Sequence, residues 1–75
     1  MSHADPRSPL HAVRNRAQAL EAWQSATRLV WTRWEAFREA ETEARAGAFA
    51  AYVAALDAEA AAADQLAASP LVVGA

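Results

Sequence analysis

His3 and His11 are the only histidines in the 75-residue chain, and it has no cysteine and no lysine. With Asp5, the two histidines form the one set that could touch a metal ion. No Glu-x-x-His or His-x-x-x-His pair is present to set two ligands on one helical face, so no metal site is expected. His11 falls in a first helical turn, where a charged imidazolium is unfavourable. Glu39, Glu41 and Glu43 alternate along the chain. Carboxylates two residues apart point away from each other on a helix, so they make neither an acid–base pair nor a cage. Ser25, Thr27, Thr32 and Thr42 have no histidine or lysine at helical spacing to activate them as nucleophiles. Gly47 and Gly74 are the only glycines, so there is no phosphate-binding loop. No catalytic residue, cofactor or metal is expected, and the chain does not read as an enzyme.

Arg14, Arg16, Arg28 and Arg33 could meet phosphates. On a helix, however, they project in different directions, with no interleaved glycine or aromatic residues. A solvated face, or pairing with acidic residues elsewhere in the chain, is the plainer reading. Nucleic acid is therefore kept as the alternative partner rather than the leading one.

The strongest signal is aromatic. The stretch "LVWTRWEAF", Leu29–Phe37, holds two tryptophans and a phenylalanine in a chain dominated by alanine and charge. At roughly 100° per residue, Leu20, Trp23, Thr27, Val30, Trp34 and Phe37 share one stripe, with Trp31 at its edge. Helical spacing alone explains these rings as a core or an interface. Trp31 is the ring expected to be exposed. A second stripe, Phe49, Tyr52, Val53, Leu56, Ala60, Ala63, Leu66 and Ala67, follows after a polar break at Arg38–Arg45. The residues expected to form the core or an interface are Leu20, Trp23, Val30, Trp31, Trp34, Phe37, Tyr52 and Leu56.

The elements that carry these residues can be read from punctuation. Ser8-Pro9-Leu10 opens a helix, with Ser8 as cap and Pro9 in the first turn, where its missing N–H costs nothing. Ser69-Pro70-Leu71 closes one. Between them lie mostly Ala, Glu, Arg, Leu and Gln, all good helix formers. The expected fold is all-α: an antiparallel helical hairpin of about 9–45 and 48–68, bent at Gly47 in the left-handed conformation and completed as a bundle by self-association. Residues 1–8 would be an N-terminal arm and 69–75 an apolar tail. The alternative is one long kinked helix in a coiled-coil-like oligomer. Charge segregation favours the hairpin. Residues 1–38 carry six of the seven arginines, and residues 39–75 carry six of the nine acids. Folding back at Gly47 would set Asp57, Glu59 and Asp64 beside Arg38, Arg33 and Arg28. It would also leave Leu10–Ala22 overhanging.

Composition bounds the function. Alanine accounts for 23 residues, against six leucines, five valines and three tryptophans. A core this thin gives only a few kcal/mol of net stability, which calls for a second copy or another partner. The abundance of arginine and alanine, without lysine, reads as the codon bias of a GC-rich, bacterial genome. The net charge of −2 points to neither nucleic acid nor membrane. No leader pattern and no uncharged run of about 18 apolar residues is present, so a cytoplasmic location without a membrane span is expected. The leading reading is a non-enzymatic helical interaction module, a structural, adaptor or regulatory subunit. It would act as a homo-oligomer or within a larger protein complex. The alternative is a nucleic-acid-associated regulator using the arginines of the first helix.

Overall fold

The computed structural model describes residues 9–69. The readings placed on His3, Asp5 and Ser8, and on residues 70–75 of the tail, lie outside them. The described chain is two α-helices joined by a tight bend. α1 is Pro9–Glu39, a single 3-10 turn covers Thr42–Ala44, and α2 is Arg45–Ala68. The helices pack antiparallel along their length, and no strand occurs among the described residues. The hairpin therefore holds, and the continuous helix does not.

The bend lies earlier than Gly47. Ala40 donates its N–H to the Phe37 carbonyl (3.3 Å), tightening the end of α1. Glu41 then turns extended (φ −68°, ψ 161°), and Ala44 donates to the Glu41 carbonyl (2.9 Å). Extended backbone suits any residue, so this bend needs no left-handed glycine. Neither the 3-10 turn nor α2 has a side-chain N-cap. Tertiary packing on either side of the bend, rather than capping, sets its position.

Gly47 instead lies in the first turn of α2 with negative φ. A Cβ built there meets nothing within 4 Å. Gly47→Ala should therefore stabilise the helix by about 0.5–1 kcal/mol, through lost unfolded-state entropy. A rise in the urea midpoint with unchanged m-value would show this. A fall would mean that the glycine serves the bend after all.

Two rows of residues make the seam between the helices. On α1 they are Ala12, Arg16, Ala19, Trp23, Ala26, Val30, Trp34 and Phe37, all partly buried. On α2 they are Ala48, Tyr52, Ala55, Glu59, Ala62 and Leu66, also withdrawn from solvent. Steps of four and three alternate along both rows, except for two successive steps of four at Ala26, Val30 and Trp34, so each row keeps to one helical face. One position of each repeat is alanine: 12, 19 and 26 on α1, and 48, 55 and 62 on α2. So small a side chain lets the helix axes approach closely. Ala55, 4% exposed, is the one fully buried residue among those described.

The seam corrects the face expected for α2. Leu56 and Val53 lie beside the seam, each 37% exposed, and Phe49, 50% exposed, reaches across only at the bend, where it meets Phe37. The seam also sets the register. Trp34 stacks on Tyr52, and Phe37 on Phe49 rather than near Leu56. Arg16 donates to the Leu66 carbonyl at 3.4 Å, so α2 covers α1 back to about that point. The overhang is accordingly shorter than Leu10–Ala22. The expected ion pairs across the hairpin are absent among the described residues. Glu59 accepts the Thr27 hydroxyl (3.0 Å), Arg28 donates to Ser25 (3.2 Å), and Arg38 pairs with Glu35 on its own helix (3.6 Å). Charge segregation thus favoured the right fold for a reason that the contacts do not use.

Candidate interaction surface

Four aromatic rings clasp the bend end of the hairpin. Their centroids form a closed circuit: Trp34–Phe37 at 5.7 Å, Phe37–Phe49 at 5.5 Å, Phe49–Tyr52 at 6.4 Å and Tyr52–Trp34 at 5.2 Å. All four pairs are tilted, between 36° and 56°, within the favourable range of aromatic geometry. The Arg45 guanidinium sits 4.9 Å from the Phe37 ring centre, a cation–π contact that ties the start of α2 to the end of α1. Toward the open end, Trp23 takes over. It lines a shallow groove with Arg16, Ala63, Leu66 and Ala67. There a large ring sits against the small α2 residues Ala63 and Ala67.

Beside the seam runs a second stripe on each helix. On α1 it is Leu10, Val13, Ala17, Leu20, Gln24, Thr27, Trp31 and Trp34, again in steps of three and four. On α2 it is Phe49, Val53, Leu56, Ala60, Ala63 and Ala67. In an antiparallel pair, stripes displaced in the same rotational sense from the seam lie on the same side. The grooves confirm this. Trp31 and Trp34 line one with Tyr52, and Trp23 lines another with Ala63 and Ala67. Asn15, Gln18 and Ala22 meet Gln65 and Ala68 across a cleft on the opposite side.

The hairpin is therefore two-faced. Among the described residues, eight large apolar side chains are exposed, and seven of them (Leu10, Val13, Leu20, Trp31, Phe49, Val53 and Leu56) belong to these two stripes. Leu29 is the exception. Trp31, at 63%, is the most exposed of the eight. Of the residues expected to form the core or an interface, Trp23, Val30, Trp34, Phe37 and Tyr52 lie in the seam, half-buried. Leu20, Trp31 and Leu56 lie on the open face. The sequence reading merged these two sets into one.

No family model, curated protein or solved structure matches this chain.

The chemistry of the surface must therefore be read from its own residues. Among those described, no group of three histidine or acidic side chains converges as a metal site would require. His11 hydrogen-bonds with Asn15 (3.1 Å) in the first turns of α1. Thr32 donates to the Arg28 carbonyl (3.2 Å), and Ser25 accepts from Arg28, so both hydroxyls are engaged locally. Glu39, Glu41 and Glu43 are exposed around the bend. By length and composition alone, Thr42–Ala68 is apolar enough to cross a bilayer, although it is not free of charge. Its apolarity is largely alanine, and it carries Glu43, Arg45, Asp57, Glu59 and Asp64.

Proposed function

We propose that this chain is a non-enzymatic protein–protein interaction module whose working surface is the apolar face of the hairpin. The observation that carries the reading is the segregation of exposed apolar side chains onto that face. A monomer rarely leaves so continuous an apolar surface uncovered unless it binds something. The thin interior supports the same view. With Ala55 the one buried residue among those described, the hairpin gains little from its own seam and much from covering the second stripes. The role is structural, adaptor or regulatory, and the working form is an oligomer, alone or within a larger complex. Nucleic acid is disfavoured because Arg14 and Arg28 alternate with Glu21 and Glu35 along the outer edge of α1 rather than forming a basic strip.

Light scattering at micromolar concentration tests the reading, with the Leu20→Glu, Leu56→Glu double variant as comparison. The parent chain should associate. The variant should remain helical by circular dichroism and lose association by at least about tenfold, since two buried charges would face an apolar surface. Association unchanged in the variant would sink the reading, because the contact would then lie elsewhere.

A further inference from the structure

The outer edge of the apolar face on α1 is bordered by Arg14, Glu21, Arg28 and Glu35, spaced seven apart and all exposed. Their signs run plus, minus, plus, minus. Such a row is complementary to itself when reversed: laid antiparallel on a copy, Arg14 meets Glu35 and Glu21 meets Arg28, each pair twice. Laid parallel in the same register, every charge meets its like. We propose that the occupant of the apolar face is a second copy of this chain. α1 would lie antiparallel on its counterpart about a two-fold axis perpendicular to the helices, giving a four-helix bundle with the bends at opposite ends. The inference rests on the reading of that face as an interaction surface and adds its partner and geometry.

The apolar stripe agrees with the register that the charges set. Where Arg14 faces Glu35 of the second copy, the flanking layers bring Ala17 against Trp34, Leu20 against Trp31, and Gln24 against Thr27 near the axis. Small faces large in the outer layers. The polar layer at the centre is the kind of feature that fixes register in a coiled coil at some cost in stability. Beyond it, the aliphatic stem of Arg38 would cover Val13.

The competing arrangement has its two-fold axis along the helices and sets α1 on α2 of the second copy. The corresponding edge of α2 carries Ala50, Asp57 and Asp64. Any register that gives Arg28 an aspartate there puts Glu21 or Glu35 against the other one. The perpendicular axis avoids that conflict on α1. It brings the aspartates of α2 near their own copies instead, an exposed repulsion that water and salt screen.

The test uses the full chain and two charge reversals, Glu21→Arg and Arg28→Glu, followed by sedimentation equilibrium. Neither residue lies in the intrachain seam. Alone, each variant should weaken self-association by roughly tenfold or more at low salt, because both symmetric pairs become repulsive. Mixed in equal amounts, the two variants should associate within about threefold of the parent, since every cross-chain pair is again opposite in sign. Rescue by mixing cannot arise from effects within one chain. If the parent associates but mixing rescues nothing, the antiparallel α1 contact is wrong while the interaction surface stands. A parent chain that stays monomeric, or that binds phosphatidylglycerol vesicles as a monomer, overturns the second copy as occupant. If association survives Leu20→Glu with Leu56→Glu, the surface itself is wrong.

Discussion

Trp34→Ala should unfold the hairpin or nearly so, while Trp31→Ala leaves its helicity intact. The two tryptophans are one turn apart and similar in sequence context, yet their surroundings differ. Trp34 belongs to the aromatic circuit and touches both Phe37 and Tyr52, at 5.7 and 5.2 Å between ring centres. Removing it opens the circuit at two points and leaves a void that the alanines around it cannot fill. The cost should be about 3 kcal/mol, toward the lower end for aromatic truncation because the ring is only half-buried. For a chain with so little interior, that is comparable to the whole stability. Trp31 makes no ring contact among the described residues and is 63% exposed. Its removal should change the thermal midpoint little and self-association strongly, the behaviour of an interface anchor. Thermal melts followed at 222 nm, paired with light scattering, separate the two effects. A Trp31→Ala chain that melts like Trp34→Ala would mean that the seam has been drawn on the wrong face.

Ala55→Leu should be the other severe change, and its direction is counter-intuitive. Leucine is larger, more apolar and nearly as good a helix former as alanine. Counting apolar area would predict a more stable protein. At position 55, however, the side chain is buried in the seam between the helices, already only 4% exposed. The added atoms can enter only by pushing the helices apart, which would strain the Thr27–Glu59 hydrogen bond and loosen the aromatic circuit. A penalty of about 1–3 kcal/mol is expected, read from urea denaturation. Ala54→Leu is the control. It is exposed on the neighbouring helical position and should cost nearly nothing. Equal effects at 54 and 55 would refute close packing at the alanine seam.

That seam also explains what could be read from the sequence and what could not. The helices were legible because nothing between Pro9 and Pro70 breaks one. The hairpin was legible because the apolar pattern lapses around Arg38–Arg45. The inward face of α2 was not. The largest side chains of α2 put its apolar stripe on Val53 and Leu56, which lie beside the seam. The helices instead meet through Ala48, Ala55 and Ala62, in a segment so rich in alanine that several faces look alike. The bend was misplaced for a related reason. Gly47 is a familiar helix stop, whereas an extended Glu41 carries no signature of its own. The half-buried side chains Trp23, Val30, Trp34 and Phe37 were legible because α1 has fewer alanines to blur its stripe. The self-complementary charges Arg14, Glu21, Arg28 and Glu35 were visible as letters. They acquired meaning only once the seam showed which edge they border.

The aromatic circuit lies at one end of the hairpin, beside a bend of only five residues, Ala40–Ala44. Closing so short a loop costs little chain entropy, and the first contacts it permits are the ones that bury most. Cohesion is therefore graded along the molecule. It is greatest at Trp34 and Tyr52 and falls toward Arg16 and Leu66, where a single 3.4 Å hydrogen bond and one tryptophan hold the helices together. The hairpin is a clip fastened at the bend, and the backbone amides of Leu10–Ala22 and Ala62–Ala68 should exchange with solvent faster than those beside Trp34 and Tyr52.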